Sequence, residues 1–391
     1  MTALLRQGGS PAPASPLDGD SLQWDNFLGR STPPSIESES RRHHGALAGK
    51  RILVTGAGGC IGSALAQAIA HAGAREIVLL DTSESALYQL SESLLEIDAP
   101  VEHTAVLASI CDTTAIADVF RRHRPEIVFH AAALKHVPLM ETNPFAVVAN
   151  NALGTHILAS AAEKHGCRQM MMVSTDKAAD PISLMGASKR IAELAMLTPR
   201  SGVMRRSAVR LGNVLGSSGS VVPLFLRQIA HGGPLTVTDP RVRRYFMTLT
   251  EAVDALLRAV SPGCPGGLLA PDPALVGLPI RVLDLANYLV AASLRPEVPI
   301  VFTALRPGDK MEETLISTRE TWAENRQGLL QTIITPMPDP DALDADTSRL
   351  RQAVERRDLQ LLLDAVLRLV PEYQPSQLLR EQLPATAAVS A

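Results

Sequence analysis

The chain has 391 residues, 46% hydrophobic and 20% charged, enough apolar material for one large or two medium globular domains. A formal net charge of −3 gives no electrostatic case for a nucleic-acid partner, and the ten His lack ligand-like spacing, so no metal is expected. The four Cys (Cys60, Cys111, Cys167, Cys264) form no C-x-x-C pair and fit a reducing, cytoplasmic setting, while no signal peptide and no apolar run of about 18 residues predicts a membrane span.

Residues 1–45 are rich in Pro, Ser, Gly and Ala and are expected to be mostly disordered. Within them, the island from Leu22 to Leu28 is apolar enough to dock on the body, and Arg41-Arg42-His43-His44 reads as a solvated charge run. Lys50 to Thr55 predicts a first strand, running into Gly56-Ala57-Gly58-Gly59-Cys60-Ile61-Gly62 and a helix with an apolar face. Gly56 permits a tight turn, Gly59 lets backbone approach a pyrophosphate, and Gly62 lets helix and strand pack closely. Cys60 and Ile61 belong to the same cofactor-binding set, the Cys60 side chain serving only as a small residue at the turn. The T-G-x-x-G-x-x-G spacing is the short-chain dehydrogenase form.

Glu76 to Asp81 is the second strand. Asp81, 19 positions after Gly62, is placed to bind an adenosine ribose diol and to repel a 2′-phosphate, which favours NAD over NADP; the plainer reading is a surface Asp in a turn. Val101 to Ile110 is expected as the third strand and Ile127 to His130 as the fourth. Ala131, Ala132 and Ala133 then leave room for a cofactor across the strand ends. Lys135 either reaches substrate or is a solvated loop lysine. Asn150-Asn151 falls inside a helix, where amides need partners, which points to a structural or cofactor-facing role.

Met170 to Val173 predicts a buried fifth strand that delivers Ser174-Thr175-Asp176-Lys177 to the rim of a parallel sheet, an acid and a base side by side. Pro181 argues against a helix through that point, and a helix from about Ser183 puts Met185 and Lys189 one turn apart on one face. Ser207 to Leu211 is the sixth strand, followed by Gly212-Asn213-Val214 and the loop Gly216 to Ser220. Arg241, Arg243 and Arg244 form one Arg segment and Arg306 another; guanidinium groups suit a second phosphorylated ligand such as a nucleotide sugar, the alternative being surface ion pairs with Asp239 or Glu251. An amphipathic helix pair is expected between about Asp346 and Pro371.

The fold class is therefore α/β, a Rossmann-type doubly wound parallel sheet with a smaller mixed α/β substrate lobe. The expected divisions are the mostly disordered 1–45, a dinucleotide-binding domain over 46–210, a substrate lobe over 211–335 part of which returns to the Rossmann domain, and a helical tail over 336–391.

Taken together, Val54 to Gly59, Phe129 to Pro138, Ser174 to Ala178, Met185 to Arg190, Gly212 to Ser217, Arg244 to Met247 and Leu305 to Gly308 resemble the UDP-N-acetylglucosamine 4,6-dehydratase family of polysaccharide biosynthesis, the CapD-like branch of extended short-chain dehydrogenases. Many members carry transmembrane helices ahead of this region, so the chain looks like the soluble catalytic part. The resemblance implies internal hydride transfer through bound NAD on a UDP-hexosamine, and a homo-oligomer. It implies Lys177 as the base at C5, Asp176 as the acid at the leaving hydroxyl, Thr175 near O4 and Lys189 on the nicotinamide ribose. It also implies substrate contacts at Lys135, Met185, Asn213, Arg244 and Arg306, and cofactor contacts at Ser109 and Ile110.

Two departures stand out. Met185 occupies the position of the usual Tyr and cannot ionise, so Asp176 is expected to take the O4 proton. Ser109 stands where the family usually has an Asp for the adenine amino group, which should weaken cofactor binding. The competing readings are a 4-epimerase or reductase on the same fold, which would need that Tyr, and a non-catalytic dinucleotide-binding regulator, which leaves Asp176, Lys177, Lys189 and Arg306 unexplained.

Overall fold

The computed structural model describes residues 22–32, 35–37, 41, 43–97, 101–198, 203–327 and 329–383, so most of the expectation for 1–45, and residues 384–391 of the tail, lie outside it. The first six strands are β1 (Arg51–Thr55), β2 (Glu76–Asp81), β3 (Glu102–Leu107), β4 (Ile127–His130), β5 (Gln169–Thr175) and β6 (Arg205–Leu211). Short strands β7 (Asn213–Val214), β8 (Leu235–Val237), β9 (Arg243–Arg244) and β10 (Phe246–Met247) follow. Then come β11 (Gly267–Pro271), β12 (Ile280–Arg281), β13 (Ile300–Phe302), β14 (Thr321–Gln327) and β15 (Leu330–Ile334).

The main sheet runs β14-β15-β11-β6-β5-β4-β1-β2-β3, with β7 to β10, β12 and β13 set apart in three two-stranded pieces. Every pairing from β3 across to β11 is parallel, and β15 is antiparallel to both β11 and β14. This is the doubly wound α/β fold expected. One correction is local: the third strand ends at Leu107 rather than Ile110, because Asp112 caps the next helix and Ser109 and Asp112 close the turn into it.

The central strands β1, β4 and β5 are almost wholly buried, as near-continuous apolar runs between helical layers should be. One face is covered by the helices Cys60–His71, Glu84–Leu95 and Leu249–Val260. The other is covered by Thr113–His123, the C-terminal half of Pro144–Lys164, and Leu184–Leu197. Pro144–Lys164 is long and apolar enough by length and composition to cross a membrane, which a search for unbroken apolar runs did not anticipate. Here it packs as a core helix, with Val147, Val148, Leu153 and Leu158 buried. The tail forms the expected helix pair, Pro340–Arg356 and Leu359–Leu369, and its Leu343, Leu350, Leu362 and Val366 share a core with Leu184, Met185 and Ile191.

Residues 22–32 and 43–47 pack along the body as a strap. Phe27 packs on Phe246 and Tyr288 at centroid distances of 6.0 and 5.1 Å. Arg30 grips Glu251 (2.8 and 3.1 Å) and donates to the carbonyls of Phe246 and Val276. His43 is not part of a solvated charge run: it is buried between Asp254 (3.1 Å) and Ser261 (2.8 Å). The helix Leu249–Val260 presents Glu251 and Asp254 on one face, and the strap sets Arg30 and His43 against them. Leu47, fully buried, adds roughly 1.5–3 kcal/mol of apolar burial.

Under the ends of β5 and β6 lies a buried ion network. The Arg210 guanidinium bonds Glu193 (2.9 and 2.8 Å) and Glu320 (2.6 and 3.0 Å). Arg190 adds a bond to Glu193 (3.0 Å), and Ser174 on β5 donates to the same carboxylate (2.6 Å). Arg210 and Glu193 are wholly buried, so their charges persist only because they neutralise one another. Glu193→Gln leaves Arg210 undercompensated and is expected to destabilise the fold by about 3–5 kcal/mol. The check is the urea midpoint, which should fall well below that of the parent chain; an unmoved midpoint would show that the network carries no stability.

Candidate functional site

Strand order reverses at β1, with β2 and β3 on one side and β4 on the other, so a crevice opens off the carboxyl ends of β1 and β4. Gly56 turns the chain there with φ +67°, and a Cβ on it would lie 2.5 Å from the Ala132 nitrogen. A Cβ on Gly62 would lie 2.0 Å from the Gly56 oxygen, so the helix Cys60–His71 can start this close only with glycine. Gly59 faces open space apart from the Gly56 oxygen at 3.3 Å. Glycine loop and helix N-terminus together therefore fit a pyrophosphate.

Asp81 ends β2 as expected. Its carboxylate accepts from Gly58 N–H and Ser83 N–H, both at 2.9 Å, so it holds the glycine loop and keeps lone pairs for a ribose diol. Ser109 Oγ accepts from Cys111 N–H (3.1 Å), and Ile110 is buried beside Gly154. Ala131, Ala132 and Ile61 are half-buried along the crevice. Burial pushes the Cys60 thiol up, against the opposing pull of Lys135 and the Ser218 backbone, so it stays a thiol.

Beneath the crevice His130 is fully buried, bridging Thr55 (2.7 Å) and Thr155 (2.9 Å). Burial, with Lys189 nearby, drives its pKa down to about 3, so it is a neutral structural bridge. Asn151 lies in a π turn, Val148–Leu153, and its amide pairs with both backbone groups of Leu134 (2.8 and 2.9 Å) and with Ser188 (3.0 Å). It thus fixes the Ala131–Leu134 segment against the helix Leu184–Leu197, which gives it a structural role.

Thr175, Asp176 and Lys177 leave the end of β5 in a 3-10 turn. Asp176 is fully buried; its Oδ1 accepts from Thr175 Oγ1 (3.0 Å) and Lys177 Nζ (2.9 Å), and its Oδ2 has no hydrogen-bond partner among the described residues. Lys177 Nζ also meets Asn213 Oδ1 at 3.2 Å and Glu313 at 3.9 Å. All three neighbours are acceptors, the environment of an ammonium. Burial disfavours that charge, but Asp176 and Glu313 outweigh it and hold the Lys177 pKa above the usual lysine value.

The helix Leu184–Leu197 starts where expected, and Ser183 caps it by accepting from Gly186 N–H. Lys189 reaches back to donate to the Val173 carbonyl (2.7 Å), and burial lowers its pKa to about 8 against the opposing effect of Glu193. Met185, one turn before it, is buried in the core shared with Val137 and the tail.

Arg244 is buried, with its donors on the carbonyls of Arg243, Lys310 and Met311 and its Nε 4.0 Å from Glu313. Arg306 is exposed and paired with Asp309 (2.8 Å), and Lys135 is exposed beside the crevice. The surface-pair alternative describes Arg241, which sits on Asp239, whereas Glu251 is taken by Arg30. Two residues not singled out from sequence belong here: Glu313, 3% exposed, and Lys310, which donates to the Ala179 carbonyl (2.7 Å). The run Lys310-Met311-Glu312-Glu313 gave no sign of which acid turns inward.

The family model described as polysaccharide biosynthesis protein matches residues 52–334. The capsular polysaccharide biosynthesis protein CapD of Staphylococcus aureus is 41% identical over 304 residues, 76% of this chain and 50% of CapD, so the chain spans about half of that relative's length. A UDP-glucose 4-epimerase of Rickettsia rickettsii is 31% identical over 277 residues, 69% of this chain and 79% of the epimerase. Among solved structures, Pen from Bacillus thuringiensis superposes with TM-score 0.66 at 26% identity, covering 75% of this chain and 89% of Pen. With the Rossmann crevice and the Thr175-Asp176-Lys177 rim in place, these matches make the chain a member of the polysaccharide biosynthesis protein family.

Proposed function

We propose that the chain is a nucleotide-sugar 4,6-dehydratase that uses bound NAD to convert UDP-N-acetylglucosamine to a UDP-4-keto-6-deoxy hexosamine. The observation that carries this reading is the Asp176–Lys177 pair at the end of β5, with Asp176 Oδ2 buried and unpartnered among the described residues. An orphaned buried carboxylate oxygen beside an ammonium suits a substrate that must give up and take back protons at adjacent atoms.

The residues that would hold NAD are Gly56, Gly59, Cys60, Ile61 and Gly62 at the pyrophosphate, Asp81 at the adenosine ribose, Ser109 and Ile110 near the adenine, and Ala131, Ala132 and Lys189 towards the nicotinamide. When bound, the nicotinamide supplies the two-electron chemistry, oxidising the sugar at C4 and reducing it at C6. Asp176 Oδ2 accepts the O4 proton. Neutralising Asp176 removes a charge that holds the Lys177 ammonium, so Lys177 can release its proton to solvent and take the proton from C5. Asp176 then protonates the departing O6 hydroxyl, Lys177 returns a proton to C5, and a solvent proton restores the ammonium. Asn213 orients Lys177, while Arg244, Arg306 and Lys135 would serve the diphosphate and sugar. Met185 would line the pocket without titrating.

The epimerase relative raises a second reading, inversion at C4 with the C6 hydroxyl kept. Met185 weighs against it, since it offers no phenol for the O4 proton. Incubation with UDP-N-acetylglucosamine and catalytic NAD in D2O, followed by proton NMR, separates the two. The dehydratase reading expects a new C6 methyl signal and deuterium at C5; a new hexose anomer with no methyl would instead support epimerisation. Asp176→Asn should lower turnover on the order of 100-fold or more, the usual worth of a positioned acid–base group, with little change in NAD affinity. Ser109→Asp gains a charged acceptor for the adenine amino group, and calorimetry should find NAD binding about fivefold tighter.

A further inference from the structure

We propose that Glu313 is a positioning residue of this site: its carboxylate is the shared counter-ion that gathers the Lys177 ammonium, the Arg244 guanidinium and the Lys310 ammonium until a substrate anion replaces it at Arg244. The inference rests on the dehydratase reading for the role of Lys177 but not for the geometry.

Glu313 is 3% exposed and lies 3.9 Å from Lys177 Nζ, 4.0 Å from Arg244 Nε and 3.6 Å from Lys310 Nζ. Its Oε2 is buried without a hydrogen bond among the described residues. A carboxylate surrounded by three cations yet hydrogen-bonded to none of them at short range acts through charge, not through fixed contacts. The three cations come from separate elements: Lys177 from the end of β5, Arg244 from β9, and Lys310 from the loop that also anchors to the Ala179 carbonyl. Asp176 is the other anion on Lys177, and Tyr245 lies within electrostatic reach of Asp176 and Glu312. Glu312 is exposed; the remaining Lys177, Arg244 and Lys310 against Asp176 and Glu313 leave one net positive charge, which an arriving diphosphate reverses.

Two consequences follow from charge alone. Without Glu313 the Arg244 guanidinium loses its competing anion, so a diphosphate binds more tightly. Without Glu313 the ammonium form of Lys177 is less favoured, because the carboxylate helps raise its pKa. Lys177 must be neutral to accept the C5 proton, so the acid limb of kcat, which reports the substrate complex, follows Lys177 and moves to lower pH.

The test uses the full chain with Glu313→Gln. Calorimetry with UDP should find severalfold tighter binding, and the acid limb of the dehydration profile should move down on the order of one pH unit, as expected for loss of one charge at about 4 Å. Glu313→Asp, which keeps the charge, should restore most of the parent profile. Lys310→Met removes a cation competing for Glu313 and should move the limb the opposite way, so it decides the matter if Glu313→Gln does not fold. Unchanged UDP affinity together with superimposable pH profiles would overturn the role of Glu313. A parent chain that makes no methyl product at any pH, yet binds UDP more tightly as Glu313→Gln, would remove the dehydratase reading and leave the counter-ion role standing.

Discussion

The site depends on a patch of charge that is invisible from solvent. Arg210 on β6 and Glu193 on the helix Leu184–Leu197 are wholly buried and bonded to each other, and Glu320 closes the other side of the guanidinium. Such a cluster is worth little in net stability compared with an apolar core, but it tolerates no half measures, because each charge is costly without its partner. That intolerance makes it a good jig. Ser174, one residue before Thr175, donates into the cluster, and Arg210 precedes Gly212 and Asn213 by only two and three positions. The ends of β5 and β6, which carry Asp176, Lys177 and Asn213, are therefore set relative to Lys189 by the same ion network.

A second layer of constraint closes the rim from the other lobe. Lys310 ties the loop after Arg306 to the Ala179 carbonyl, and Thr318 donates both its N–H and its hydroxyl to Asp180, itself at the unusual φ of +39°. From the tail side, buried Glu141 accepts from Leu184 N–H (2.7 Å) and from Ser376 (2.5 Å). The strap adds a tie near Arg244, since Arg30 holds the Phe246 carbonyl two residues past it. Segments far apart in sequence thus converge on one short stretch, 174–184. The result is a site whose acid and base are held rigidly while Asp176 Oδ2 remains uncommitted.

The electrostatics divide the lysines by role. Lys189 has burial on one side and only Glu193 to offset it, so its pKa falls to about 8. Lys177 is half-buried, and two carboxylates hold it as an ammonium. The difference lies in what each chain end meets: a single strand carbonyl for Lys189, and a cage of acceptors for Lys177. The proton affinity of Lys177 is thus set by the two carboxylates beside it, Asp176 and Glu313.

The sequence by itself determined the parts whose physics is local. The glycine spacing, the apolar runs of the parallel strands, the Asp at the end of β2, the helix start near Ser183 and the i, i+4 placement of Met185 and Lys189 follow from backbone sterics and periodicity, and each is where the sequence put it. The docking of Leu22 to Leu28 was likewise legible from its apolar content. What only the tertiary structure decided are pairings across long sequence separation. Glu313 beside Lys177, Glu251 under Arg30, His43 between Asp254 and Ser261, and the closed Arg210 network all join polar or charged groups whose partners no short-range rule selects. A charged residue reads as surface until its counter-charge is known, because burial is affordable only for the pair, and the pair forms only when the chain has folded.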